Sequence, residues 1–186
     1  MTRVLGISGS LRRGSYNSAL LRAATGLMPE EATLDVASIR GIPLYDADVE
    51  AQGIPAAVAQ LKEAVVAADG VLLVTPEYNN SIPGVFKNAI DWLSRPASDA
   101  RRVFGGRRFA ILGASPGGFG TIMSQAAWLP VMRTLGVQLW TGGRLMVSRA
   151  GSVFDESGAL KDGAIEEALR QFLAGYVNFL RRVPGP

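Results

Sequence analysis

The sequence predicts an α/β fold: one open parallel sheet with helices on both faces. Three observations carry this expectation. Five short apolar segments alternate with segments of helical periodicity, the pattern of repeated strand–helix units. The central segment, "VLLVT" at 71–75, is an unbroken apolar run, as suits a strand covered on both sides of a parallel sheet. Three of the connecting turns, at 9–17, 76–83 and 115–121, are rich in Gly, Ser, Asn and Pro. Those turns fall at the carboxyl ends of strands, where open α/β sheets bind their ligands.

Arg3–Ser8 reads as a buried first strand. Leu20, Leu21, Ala24 and Leu27 recur at helical spacing, which predicts an amphipathic helix over 17–28, stopped by Pro29. "ATLDVAS" alternates as a second strand over 32–38, and "GIPLYDADVEAQGIP" reads as a loop punctuated by Pro43, Gly53 and Pro55. A helix over 56–68 and the Asp69-Gly70 turn lead into the third strand at 71–75. "VFKNAIDWL", opened by Pro83, is the next helix, and the polar stretch 95–106, with its Pro and Gly, is read as a loop. "RFAILGAS" (108–115) is the fourth strand; a helix over 123–135 then leads to "VQLW", a short fifth strand. The last helix spans 162–182 and carries an apolar face of Ile165, Leu169, Phe172, Leu173, Tyr176 and Leu180. With no repeat, low-complexity tract or linker, residues 1–186 read as a single domain.

The absences narrow the chemistry. With no cysteine, disulfides, thiol redox chemistry and Cys-ligated zinc are excluded; with no histidine, so are Ser-His-Asp catalysis and His-metal sites. Redox chemistry would therefore need an organic cofactor. The net charge of +3 comes from sixteen arginines and three lysines against sixteen acids, and the arginine pairs lie far apart in sequence. Scattered charge of this kind does not form the basic stripe of a nucleic-acid binder. No window has the length and apolarity of a membrane span, and the N-terminus lacks the layout of a signal peptide, so a soluble cytoplasmic protein is expected.

The three turns suggest what is bound. The spacing Gly9-Ser-Leu-Arg-Arg-Gly14 approaches a Walker A loop, but Ser15 and Tyr16 stand where Lys and Ser/Thr would be needed. Gly6, Gly9 and Gly14 do not have dinucleotide-fingerprint intervals either. A single terminal phosphate fits better. The start of the first helix offers backbone N–H groups and a positive dipole end, Ser10 and Ser15 add hydroxyls, Asn17 an amide, and Arg12 a cation. The competing reading is an ordinary helix cap by Ser15 or Asn17. "TPEYNNSIPG" reads either as a stiff connection with Ser81 as helix cap or as a grip on the polar rim of a flat ring. "SPGGFG" lets a planar ligand approach the backbone closely.

"GISGSLRRGSYNSALLRAA", "TPEYNNSIPGVFKNAIDWLSRP" and "GASPGGFGT" together resemble the NADPH-dependent FMN reductase family, nearest its bacterial chromate/quinone reductase branch. The first two motifs are specific and the glycine loop less so. The resemblance runs from Arg3 to the last helix and implies a flavodoxin-like three-layer sandwich with a five-stranded parallel sheet in the order 2-1-3-4-5. By motif, Ser10, Arg12, Ser15, Asn17 and Ser18 match the phosphate-binding segment. Pro76, Glu77, Tyr78 and Asn79 match the segment lining ribityl and isoalloxazine, and Ser115, Gly117 and Gly118 the loop along the pyrimidine edge. Asn80 and Val85 fall at positions that vary in the family and are expected to tune the substrate pocket.

The resemblance further implies an FMN enzyme that takes hydride from NADPH or NADH and reduces quinones, free flavins or similar small acceptors, chromate among them, in alternation. No catalytic side chain or metal is then required. Glu77 is expected to tie its loop down rather than act as an acid, and Trp92, Trp128 and Trp140 to be core or interface residues. A flavodoxin-type electron carrier without a nicotinamide site is the alternative; such carriers usually present an acidic face, and this chain is mildly basic. Homodimers or homotetramers are implied by the family. The apolar residues Val85, Phe86, Ile90, Trp92 and Leu93 serve either the core or such an interface.

Overall fold

The computed structural model describes residues 1–182. Five strands, β1 (Thr2–Ser8), β2 (Ala32–Ala37), β3 (Gly70–Val74), β4 (Arg108–Ala114) and β5 (Gln138–Leu139), form a parallel sheet in the order β2-β1-β3-β4-β5, the flavodoxin-like order. A short sixth strand, β6 (Met146–Val147), was not foreseen; it pairs in parallel with the end of β4. Ser8 lies opposite Val74, and Val74 opposite Leu112. That register brings the loops after β1, β3 and β4 out at one edge.

The period of two along the strands builds both layers. Val71 and Leu73 pack with Leu61 and Val65 of α3 (Ala56–Ala67), Phe86 and Ile90 of α4 (Gly84–Leu93) and Trp128 of α6 (Ile122–Thr134). Leu72 and Val74 face the other way, onto Leu20 and Leu21 of α1 (Tyr16–Gly26) and Leu169 and Leu173 of α8 (Gly163–Arg182). Each such side chain contributes about 1.5–3 kcal/mol when fully buried, so the continuous apolar run of β3 is what holds two helical layers to one strand.

Phe86, Ile90, Trp92 and Leu93 are buried and only Val85 reaches the surface, so the wide apolar arc of α4 is core. Three segments differ from the pattern reading. The stretch read as a loop before Pro55 contains α2 (Ala47–Ala51), capped by the Asp46 carboxylate on the Asp48 N–H. The stretch 95–106 forms a short 3₁₀ turn (Ala97–Asp99) and α5 (Ala100–Phe104) rather than a loop. Its polar composition hides Val103 and Phe104, both fully buried. A last short helix, α7 (Ala150–Val153), follows β6. No described helix is long and apolar enough to cross a membrane.

The α5 segment is held by charge. Lys62, almost fully buried on α3, donates to the Arg95 carbonyl and to Asp99 Oδ2, the latter at 2.9 Å. Arg102 Nε reaches Asp99 Oδ1 at 2.6 Å. Hydrogen bonding from Arg102, then Lys62, holds the Asp99 carboxyl at about 2, below the usual 3.8, although burial opposes this. A lowered folded-state pKa stabilises the fold above the unfolded value and loses that contribution as the pH falls through the folded one. Asp99→Asn is therefore expected to be less stable than wild type at neutral pH, with the gap closing between pH about 4 and about 2. Urea midpoints across that range check it; a gap that stays constant would assign the effect to packing.

Candidate functional site

The loop after β1 starts rigidly and ends on a helix. Gly9 donates its N–H to the Val74 carbonyl at 2.9 Å, and the ring of Phe86 fills the space a side chain at position 9 would need. Arg40 Nη2 holds the Leu11 carbonyl at 2.6 Å. At the far end Ser15 Oγ caps α1 by accepting the Ser18 N–H at 3.3 Å. Between these anchors, the backbone N–H groups of Ser10, Leu11, Arg13, Gly14 and Ser15 meet no acceptor among the described residues. Arg12 is exposed, and its guanidinium has no ion pair or hydrogen bond there either. Free donors, a positive helix end and an unspent cation are the features by which proteins hold anions.

Besides Ser15, two further side chains matched to the phosphate segment are engaged within the fold. Asn17 is buried, and its amide forms a two-way bond with β4: Nδ2 donates to the Ala114 carbonyl and Oδ1 accepts the Ala114 N–H, both at 2.8 Å. Ser18 Oγ lies 3.0 Å from Ser8 Oγ. Only the backbone N–H of Asn17 is left to face the loop. Ser10 Oγ accepts the Arg12 N–H at 3.3 Å and keeps its proton to give.

The second loop is a tight turn. Tyr78 and Ser81 exchange backbone hydrogen bonds of 3.1 and 3.0 Å around Asn79 and Asn80, whose φ angles are 49° and 58°. Two consecutive left-handed residues define a type I′ turn, and asparagine is the side chain that tolerates them best after glycine. Ser81 is thus spent in the turn and is not the cap of α4, whose N-cap position is Pro83. Tyr78 stands half-exposed at the edge. Glu77 ties the loop down as expected, by accepting the N–H groups of Met123 and Ser124 at 2.8 and 3.0 Å. The helix dipole favours this placement, because the carboxylate sits at the positive end of α6.

In the third loop Ser115 Oγ donates to the Gly120 carbonyl at 2.6 Å and accepts the Gly117 N–H at 3.2 Å. Gly117 and Gly118 are exposed, and a side chain at 118 would meet open space. The loop is closed from behind by Arg149, whose N–H reaches the Gly117 carbonyl at 2.9 Å from a left-handed conformation (φ 47°). Arg149, Arg40 and the two asparagine conformations carry no signal in a one-dimensional pattern. Trp92 and Trp128 are core residues, and Trp140 packs edge-on against Phe172 with centroids 4.9 Å apart. An apolar cavity of about 280 Å³, walled by Ile122, Leu129, Trp140 and Arg144, lies along α6 next to the end of the third loop.

Residues 2–152 match the model of the family described as NADPH-dependent FMN reductase. An NAD(P)H-dependent FMN reductase of Pseudomonas aeruginosa is 46% identical over 183 residues, covering 98% of this chain and 97% of the relative. A 2-hydroxy-1,4-benzoquinone reductase from a Burkholderia species is 36% identical over 94% of both chains. Among solved structures, the flavoenzyme NAD(P)H:(acceptor) oxidoreductase FerB of Paracoccus denitrificans superposes with a TM-score of 0.87 at 28% identity, over 98% of each chain. On this match the chain belongs to the NADPH-dependent FMN reductase family.

Proposed function

We propose that the chain is an FMN-dependent NAD(P)H oxidoreductase whose acceptors are quinones, free flavins and similar flat molecules, with chromate as a further candidate. The observation that carries the site assignment is the set of unspent donors after β1: five backbone N–H groups, the N-terminus of α1 and the Arg12 guanidinium. A dianionic phosphate is the ligand such a set suits, and a flavin mononucleotide has one.

In this reading Ser10, Arg12 and the backbone of 13–17 hold the phosphate. Ser15, Asn17 and Ser18 shape the loop through the bonds described above. Pro76, Glu77, Tyr78 and Asn79 border the ribityl chain and ring, and Ser115, Gly117 and Gly118 offer backbone to the pyrimidine edge. Bound FMN supplies the two-electron chemistry that a chain without His or Cys does not carry itself. What the chain contributes is placement, and donors held rigid before the reaction begins. A homodimer or homotetramer would cover Phe119, Ile122, Met123 and Leu129, large apolar side chains that stand exposed beside the third loop and along α6. A cytoplasmic setting, where reduced nicotinamide is regenerated, belongs to the same reading.

The test is direct. Purified protein supplied with FMN is expected to show a bound-flavin visible spectrum and to oxidise NADPH with a quinone as acceptor. Because donor and acceptor would use the same place on the flavin, and the chain has no thiol to carry electrons to a second one, the two should take turns. Initial-rate plots at several quinone concentrations are then parallel. Intersecting lines would show that both substrates fit together. A bound flavin with no NADPH turnover would favour the flavodoxin-type carrier instead.

A further inference from the structure

We propose that Thr75, Ser124 and Trp128 are positioning residues for the flavin ring: with the Glu77 carboxylate they clamp the second loop to α6, and so to the third loop. The inference rests on the FMN reading above.

Thr75, Ser124 and Trp128 have no exposed surface at all. The indole Nε1 lies 3.1 Å from Thr75 Oγ1, Ser124 Oγ lies 2.9 Å from it, and Thr75 Oγ1 donates to the Pro76 carbonyl at 2.9 Å. Trp128 can only donate and the carbonyl can only accept, so with the Thr75 proton on Pro76 the Ser124 proton points to Thr75. Every hydrogen-bonding capacity of the Thr75 hydroxyl is then used. A polar cluster in so apolar a place is costly unless satisfied, and rigid once it is.

Its consequence is the orientation of one peptide. The Pro76–Glu77 bond is trans, so turning the carbonyl inward to Thr75 turns the Glu77 N–H outward from the core. That N–H has no acceptor among the described residues. It is a fixed donor at the edge where the ring is expected. Ser124 is gripped twice, through its hydroxyl by Thr75 and through its N–H by Glu77 at 3.0 Å. Gly113 completes the contact, since a side chain there would collide with the Thr75 carbonyl and the Thr121 hydroxyl. Residues 75–77 and the first turn of α6 therefore move as one body, and α6 begins where the third loop ends.

Thr75→Val keeps the shape and removes the hydroxyl; Thr75→Ser keeps the hydroxyl, and Ser124→Ala is the milder break should Thr75→Val fail to fold. The full chain is titrated with FMN and with riboflavin, the flavin midpoint potential is measured, and the apoprotein is melted. Thr75→Val or Ser124→Ala is expected to weaken both flavins by the same factor, about tenfold, as suits a well-placed hydrogen bond to the ring, and to shift the potential. Thr75→Ser should restore both. A lowered melting temperature with unchanged flavin affinity and potential would reduce the cluster to core packing and overturn the proposal. Wild-type protein that takes up neither flavin would overturn the function proposed above, and the clamp's role with it.

Discussion

Arg12→Ala is expected to weaken FMN binding by roughly ten- to a hundredfold, the equivalent of the ~1.5–3 kcal/mol typical of a hydrogen bond to a charged group. The residue is well suited to a clean test. Its guanidinium is exposed and makes no bond within the described residues, so removing it breaks nothing in the fold. The bond from its own N–H to Ser10 Oγ is a backbone contact that alanine retains. Riboflavin supplies the control. Lacking phosphate, it should bind wild type far more weakly than FMN, and Arg12→Ala should leave its affinity unchanged. Fluorescence titration of the two flavins against the two proteins forms the cycle. An equal loss for riboflavin would remove the phosphate assignment, and an unchanged FMN affinity with a raised KM for NADPH would give Arg12 to the dinucleotide.

Asn17→Ala should act in a different way, mainly on stability. From the sequence the two residues look alike, both polar and both in a phosphate-type loop. In the fold Asn17 is buried and holds both the N–H and the carbonyl of Ala114, 97 residues away. Alanine would leave two buried backbone groups unpaired at about 1–3 kcal/mol each, so a loss of roughly 2–6 kcal/mol is expected. For a domain of this size that lowers the melting temperature by about 4–24 °C. Ala114 is also the last residue of β4, directly before the third loop, so flavin affinity should fall as a secondary effect and for riboflavin as well as FMN. Thermal melts of the apoprotein separate the cases: Arg12→Ala melts like wild type and Asn17→Ala does not. An Asn17→Ala protein of undiminished stability would show that water readily replaces the clasp.

The contrast marks how far the pattern of residues reaches. The strands at 71–75 and 108–115 and the helices at 56–68 and 162–182 were legible because burial on a regular element leaves its period in the chain itself. So were the three loops, since Gly, Ser, Asn and Pro are required locally by turns and by close approach of a ligand to the backbone. Illegible were the partners. Glu77 meets Met123 and Ser124 across 46 and 47 residues, and Thr75 meets Trp128 across 53. The α5 helix was hidden for the same reason: Val103 and Phe104 are two apolar residues in a polar stretch, and only packing against the sheet reveals them as core.

By itself, then, the sequence determined the parallel α/β architecture and the loops expected at its ligand edge, because these depend on composition, period and turn chemistry within short windows; the family came from the likeness of whole motifs. The tertiary structure alone decided which polar side chains in those windows remain free to meet a ligand. Arg12 and Asn17 stand five residues apart in one motif, yet one points to solvent and the other is locked to β4. A hydrogen-bonding group can be used only once in a given direction, and what uses it is set by neighbours that the chain brings together only when it folds.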